Sequence, residues 1–571
     1  MTTGLGLYLR FTLLTQPTVF ALFSERTQRQ ALYQHIFVPV CTSLIQEQFC
    51  HLAFECFGGP VLITPTTSPN HIMTKYPSDD CTLERPVSSH GRGCSSSHHI
   101  PAPPPRSVTD PVPYSDKVFD ELRASIEDGS FFSMDEYQVL HVLKRSFGVE
   151  LRYLKSAYVA GWDPADVSTK TPSKQLFERH IPEVDRTLTG ILALRWLRNN
   201  AYDRFTQNQK AAKLSYESFQ ELREFFKTEL DGYQNHEAVF TLIVMQMTND
   251  LGKSSELARR LEDTFSPWST QVSANHDVVM EQVLVQHEVL VPAIYWLPSA
   301  DKRMVHKLIR LSAGFNPGQL VQAECPPAAL SVIQELHITP AELNMKFMEL
   351  FLDVAGARGH VDHNGSMTMI EPVYQGYMRA KLLSLKVAGG YGFRNAYIDV
   401  LKHRLNMLSD AGYHSDTDIS EAPEAFAKAR LFCMARVANA ETAWFIDGIY
   451  ENLPLQVQHR LEEGLGLVTV PAVLPTYMPG MLALVKGPNQ DEQLAALFIY
   501  LSDVLNLTEE DLQHLPADAE IVERDIKDIL EPLIRSKAFH EDPSSVVNEY
   551  TELPRIEIAK RVGRTVEVRA D

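Results

Sequence analysis

Along most of this chain apolar side chains recur every three to four positions rather than every second one, a spacing that predicts helices. The periodic stretches cover 187–199, 213–230, 236–249, 276–296, 340–355, 372–387, 424–450 and 491–506. Start signals accompany several helices. Ser133-Met-Asp-Glu136 and Thr339-Pro-Ala-Glu342 set a hydroxyl three residues ahead of a carboxylate, so that each side chain can satisfy the other residue's amide. Thr508-Glu-Glu-Asp511 offers a similar start near the end. Alternating β-branched runs are confined to 467–474 and 555–569. No segment repeats at a fixed period, which excludes a solenoid. The pattern predicts an all-α fold, a large helical bundle with minor short β elements.

The first 113 residues follow another pattern. Residues 1–63 are apolar without clean periodicity, an appendage whose order the pattern leaves open. Residues 64–113 carry PTTSPN, SSHGRGCSSSHH and IPAPPPRS. Such a run buries too little apolar area to offset chain entropy, and it predicts a low-complexity disordered linker. The helical domain is then expected over 114–571. The uncharged run at 11–23 contains Gln16 and Pro17 and falls short of the roughly 20 residues that a spanning helix needs. A signal peptide is poorly formed there, and no membrane span is predicted.

Composition narrows the function classes. Hydrophobic residues make up 44% of the chain and charged residues 22%, which excludes a wholly disordered or collagen-like protein. Lys and Arg number 53 against 72 Asp and Glu, a formal charge of −19. That balance argues against a chain-wide phosphate-binding surface, and no nucleic-acid partner is expected. Of seven cysteines, Cys41, Cys50, Cys56, Cys81 and Cys94 precede the helical domain, leaving Cys325 and Cys433. None are spaced C-x-x-C, so the chain reads as a reduced, intracellular and cytoplasmic protein. Gly389-Gly-Tyr-Gly392 follows a predicted helix, where it reads as a stop rather than a phosphate cradle. No G-x-S-x-G nucleophile motif occurs.

One acidic and histidine-bearing constellation stands out. The apolar helix at 236–249 runs into Asn249-Asp250-Leu-Gly-Lys253, where Gly252 suits a helix end because it tolerates positive φ. His276-Asp277 opens the next helix, His306 follows, and Asp353 is a carboxylate set in apolar sequence. A buried lone charge is costly, so Asp353 should meet a cation, whether metal or arginine. Imidazole and carboxylate together suit transition metals.

A hydrophobic helix ending in Asn249-Asp250-Leu-Gly-Lys253 resembles the His-Asp signature helix of the HD-domain metal-dependent phosphohydrolases. The resemblance covers about 230–365. It implies Asp250 as the signature carboxylate, Asn249 in place of the signature His, His276 and His306 as additional ligands, and Asp353 as the final ligand. A second register uses His236, His276-Asp277 and Asp353. Both registers share His276 and Asp353.

The resemblance implies a divalent metal ion held by His236, Asn249, Asp250, His276, His306 and Asp353, with Lys253 and Asp277 as catalytic residues. The implied activity is hydrolysis of a small polar or phosphorylated molecule. Two alternatives stay open: an inactive HD-like or helical scaffold that binds a ligand or protein partner, and a metal-dependent oxygenase.

Overall fold

The computed structural model describes residues 115–157, 170–262, 276–466 and 481–512, apart from 211, 326, 415–418, 420–421, 486 and 488. It also describes 476–477, 520–521, 524–525, 527–544, 547 and 558–559. The expectations for 1–63, 64–113 and 467–474 fall outside these residues, as does all of 555–569 except Ile558 and Ala559.

The fold is all-α. Its helices include α1 (Glu136–Ser146), α2 (Gly148–Leu154), α3 (Pro182–Arg198), α4 (Tyr216–Glu229), α5 (His236–Thr248), α6 (His276–His287) and α7 (Ser299–Gly314). They continue with α8 (Pro340–Gly356), α9 (Glu371–Ala388), α10 (Phe393–Asp410), α11 (Pro423–Met434), α12 (Ala440–Glu451), α13 (Leu455–Leu465) and α14 (Gln490–Leu512). The described β structure is minor: Thr476–Tyr477 pairs with Arg524–Asp525 in parallel, and Glu520–Ile521 pairs with Ile558–Ala559 antiparallel.

Local chemistry sets the boundaries and corrects several expected ones. The box at Thr339 and Glu342 forms as expected, with Pro340 opening α8. At α1 the box shifts two residues along: Asp135 caps and Gln138 returns the bond, because a carboxylate at 135 already reaches the 138 amide at 2.8 Å. The 276–296 stretch breaks after His287; Pro292 lacks an amide and starts a separate turn, Pro292–Tyr295. The 424–450 stretch is two helices, since Arg436 takes positive φ and Asn439 caps a new start by accepting the Thr442 amide at 2.9 Å. Thr508 does not open a helix, because α14 runs through it to Leu512.

Helix α3 is buried almost all round, with Val184, Leu188, Ile191, Leu192 and Leu194 fully covered. Each such aliphatic side chain contributes about 2 kcal/mol of burial. Helices α5 and α8 pack on it and on each other. The closest approach is at two glycines. A β-carbon on Gly190 would lie 2.7 Å from the Leu352 carbonyl oxygen, and one on Gly356 would strike the Arg186 carbonyl. Glycine at both positions therefore lets the two backbones touch.

The apolar interior divides into two cores. The first spans Phe119 to Cys433 and the second Leu408 to Val547. They share α11, which gives Phe426 and Cys433 to the first core and Leu431 and Phe432 to the second. Cys325 and Cys433 are buried free thiols.

Candidate functional site

Five segments of the first core meet at one polar cluster. Helix α3 brings Glu183 and Arg186, and the end of α5 brings Asn249 and Asp250. The turn Leu251–Lys253 and the start of α6 add Lys253, His276 and Asp277, and α8 supplies Lys346, Glu349 and Asp353. On α8 the three fall at i, i+3 and i+7, one face of a helix.

Gly252 explains how α6 reaches the cluster. The turn does not use positive φ there; instead a β-carbon on Gly252 would collide with the carbonyl oxygen of His276. The missing side chain lets the α6 start close over the turn, and His276 Nε2 comes within 3.4 Å of Asp250 Oδ1. His276 Nε2 also lies 3.9 Å from its neighbour Asp277.

Lys253 Nζ stands 2.8 Å from Asp250 Oδ1 and 3.6 Å from Glu183 Oε1. Arg186 Nη1 donates to the same Glu183 oxygen at 2.9 Å. Glu183 and Asp250 lie within electrostatic reach of each other. Asn249 donates from Nδ2 to Glu349 Oε1 at 3.0 Å, and Lys346 Nζ holds Glu349 Oε2 at 2.6 Å. Asp353 lies within electrostatic reach of Asp250, Arg186, Glu349 and Lys253. Glu183, Asp250 and Glu349 are buried, whereas Lys253 and His276 retain about a quarter and a third of their side-chain exposure. Glu183, Arg186, Asp250 and Glu349 form the floor, and Lys253, His276 and Asp277 the rim.

Protonation follows from that layout. Burial works against the Asp250 carboxylate, but Lys253, His276 and Arg186 outweigh it and hold the group well below its usual range. Burial and the nearby Asp250 charge push Asp353 up to about 6. Burial also raises Glu183 and Glu349, against the pull of Arg186 on one and Lys346 on the other. Lys253 is opposed by burial yet raised by Asp250 and Glu183.

Of the residues expected from the sequence, Asn249, Asp250, Lys253, His276, Asp277 and Asp353 come together. His236 does not. It sits in the first turn of α5, and the straight helix to Asp250 spans about 20 Å at 1.5 Å per residue. His306, on α7, is engaged with Glu288 at 2.7 Å instead. Sequence reading missed Glu183, Arg186, Lys346 and Glu349; the available signals were the Glu-x-x-Arg and Lys-x-x-Glu spacings inside apolar helices.

A second polar layer lies next to Arg186. His180 Nε2 is 3.1 Å from Asp185 Oδ2 and 2.9 Å from the His360 carbonyl oxygen. Asp185 also accepts the Ser173 amide at 2.6 Å.

The donor set fits a transition metal poorly. Asn249 is an amide rather than an imidazole and its nitrogen points into Glu349, and a lysine ammonium already lies between Asp250 and Glu183. Among the described residues, no group of three or more His, Cys, Asp or Glu heads is placed to hold a metal ion.

A family model matches residues 140–546, described as a family of unknown function (DUF6829). The chain belongs to that family. The DUF6829 segment contains α3, α5, α6 and α8 in full, and so every residue of the cluster. No curated protein and no solved structure matches the chain. Among the described residues, no helix is long and apolar enough to cross a membrane.

Proposed function

We propose that this chain is an HD-like helical protein whose former metal centre has become an internally neutralised charge network, and that it binds a small molecule carrying an anionic group. The observation that carries the reading is the position of Asn249. Where the HD signature places an imidazole, an amide spends its donor on the buried Glu349. Its own carbonyl oxygen has no protein partner, so it offers one acceptor beside the Lys346, Lys253 and His276 nitrogens. A phosphorylated or carboxylated molecule with a hydrogen-bond donor of its own matches that pattern. The cluster supplies too few imidazoles for an iron-dependent oxygenase.

The test is thermal unfolding of the purified protein against nucleoside monophosphates, sugar phosphates and small dicarboxylates. Expected is a saturable rise in Tm with at least one anionic compound, reduced in Lys346→Ala and His276→Ala. Absence of any such shift across the panel would overturn the binding reading.

A second reading is hydrolysis at the same place without a metal. It is favoured by Asp353, whose carboxyl is pushed up to about 6 by burial and the nearby Asp250 charge and so suits a proton donor, beside Asp250, which is held ionised and can orient a water or steady positive charge. Release of phosphate or alcohol from a bound ester, lost in both Asp250→Asn and Asp353→Asn, would establish that reading.

A further inference from the structure

We propose that Lys381 is a nucleophilic amine set against an aromatic slot, and that it forms an imine with a small neutral aldehyde bearing a hydroxyl group. The inference is independent of the Asp250 cluster. It uses the other side of α8, where Asn344 and Phe351 stand about half a turn round from Lys346 and Asp353.

The slot forms where α4, α8 and α9 run together. Helices α4 and α9 meet rung by rung: Ser218 donates to Glu371 at 2.7 Å, and Tyr374 donates to Glu221 at 3.0 Å. At the next rung the Lys381 ammonium lies 3.8 Å from the centre of the Phe225 ring. Phe351 of α8 closes the wall, its ring 6.1 Å from Phe225 and 6.5 Å from Tyr377, which precedes Lys381 by one turn. One turn beyond Phe225, Glu229 accepts the Asn344 side-chain amide at 2.8 Å. Lys381 is buried, whereas Phe225, Glu229 and Asn344 are half-buried, so the slot reaches the surface.

The earlier rungs are hydrogen-bonded pairs, but Lys381 Nζ has only a ring. Among the described residues no carboxylate or carbonyl stands at hydrogen-bond or ion-pair distance from it. Burial disfavours the ammonium more than Glu229 favours it, and its pKa falls below the usual lysine value. A desolvated lysine of this kind holds more of its lone pair free at neutral pH than an exposed one does. A second feature is Asn344 Oδ1, a buried acceptor without a protein partner on the side chain that engages Glu229. It suits a ligand with a hydroxyl hydrogen to donate. Glu229 repels a carboxylate, which favours a neutral aldehyde over a keto acid.

The chemistry needs no other reagent. The lone pair of neutral Nζ forms the bond to the carbonyl carbon as the C=O π pair moves to oxygen. Both Nζ protons end on that oxygen, which leaves as water while the nitrogen pair closes the C=N bond. Amine and aldehyde give imine and one water.

The test is reductive trapping on the intact folded protein. Glycolaldehyde is applied at neutral pH with sodium cyanoborohydride, which delivers hydride to the imine carbon, and labelled lysines are located by peptide mass spectrometry. Expected is labelling of Lys381 at least about tenfold faster than of the exposed Lys386 and Lys402, an advantage lost in guanidinium chloride. Acetaldehyde and glyoxylate should each label Lys381 more slowly than glycolaldehyde, taken relative to Lys402, the first for want of a hydroxyl and the second for its charge. Labelling of Lys381 no faster than that of the exposed pair in the folded chain would overturn the inference. Equal relative rates for the three aldehydes would overturn the ligand class. Both results leave the anion-binding reading to its own test.

Discussion

Gly252 lies against the backbone carbonyl of His276 with no space for a β-carbon between them. The contact joins the turn after α5 to the first residue of α6, and the His276–Asp250 pair depends on it. Gly252→Ala should push the α6 start outward, costing about 1–3 kcal/mol in denaturant unfolding. It should also weaken binding of any anionic ligand that His276 contacts. Unchanged stability would mean that the turn has room to relax.

The crossing of α3 and α8 is tested at Gly356. A methyl group there meets the Arg186 carbonyl and Gly190 backbone, neither of which can swing aside as a side-chain tip can. Gly356→Ala is expected to destabilise by about 2–3 kcal/mol. Denaturant unfolding that leaves stability unchanged would mean that the α3–α8 crossing has room to relax.

Glu150 makes a pH prediction away from the site. It is buried on α2, accepts the Ala293 amide at 2.8 Å, and is pushed up to about 7 by burial, which that amide only partly offsets. An acid raised in the folded state contributes stability that is complete below its unfolded value near 4.5 and is lost as pH climbs through about 7. At 1.36 kcal/mol per pH unit the loss approaches about 3 kcal/mol by pH 8. Glu150→Gln keeps the acceptor and has no proton to lose, so it should gain stability over the wild type as pH rises from 5 to 8. Parallel stability–pH curves for the two proteins would refute this.

Arg430 ties the two cores together. Its guanidinium donates to the carbonyls of Ala323, Glu324 and Cys325 on one side and of Leu465 on the other, at 3.1 to 3.4 Å. Tyr397 also donates to the Ala323 and Cys325 carbonyls, so Arg430→Met removes the guanidinium chiefly from Glu324 and Leu465 and should cost about 2–3 kcal/mol. The loss should appear as earlier unfolding of the whole domain in calorimetry. A change restricted to one of two separate transitions would contradict the shared seam.

How much of this was legible in the sequence depends on which forces act locally. Helix spans followed from periodicity, and Thr339 with Glu342 marked a start because both partners sit within one turn. Breaks that depend on one backbone angle, such as positive φ at Arg436, left no trace in the apolar pattern. In the site, Asp353 was visible as a carboxylate in apolar sequence and Asp250 through the Asn249-Asp250-Leu-Gly-Lys253 motif that ends an apolar helix. Glu183 with Arg186, and Lys346 with Glu349, were not, because such i,i+3 pairs usually mark a solvated face and only the packing of α3 and α8 buries them. His236 and His306 carried the right chemistry in the sequence, but the length of α5 and the proximity of Glu288 take them elsewhere.

Because α11 lends one flank to each apolar interior, neither part of the domain is a separable piece. A chain stopped after Asp410 would present the uncovered sides of Tyr397 and Leu401 to water, having lost Phe426 and Cys433. Its fate is aggregation or proteolysis in the cell. A frameshift late in the coding region would therefore remove the cluster around Asp250 as surely as a change within it, although the two are far apart along the chain.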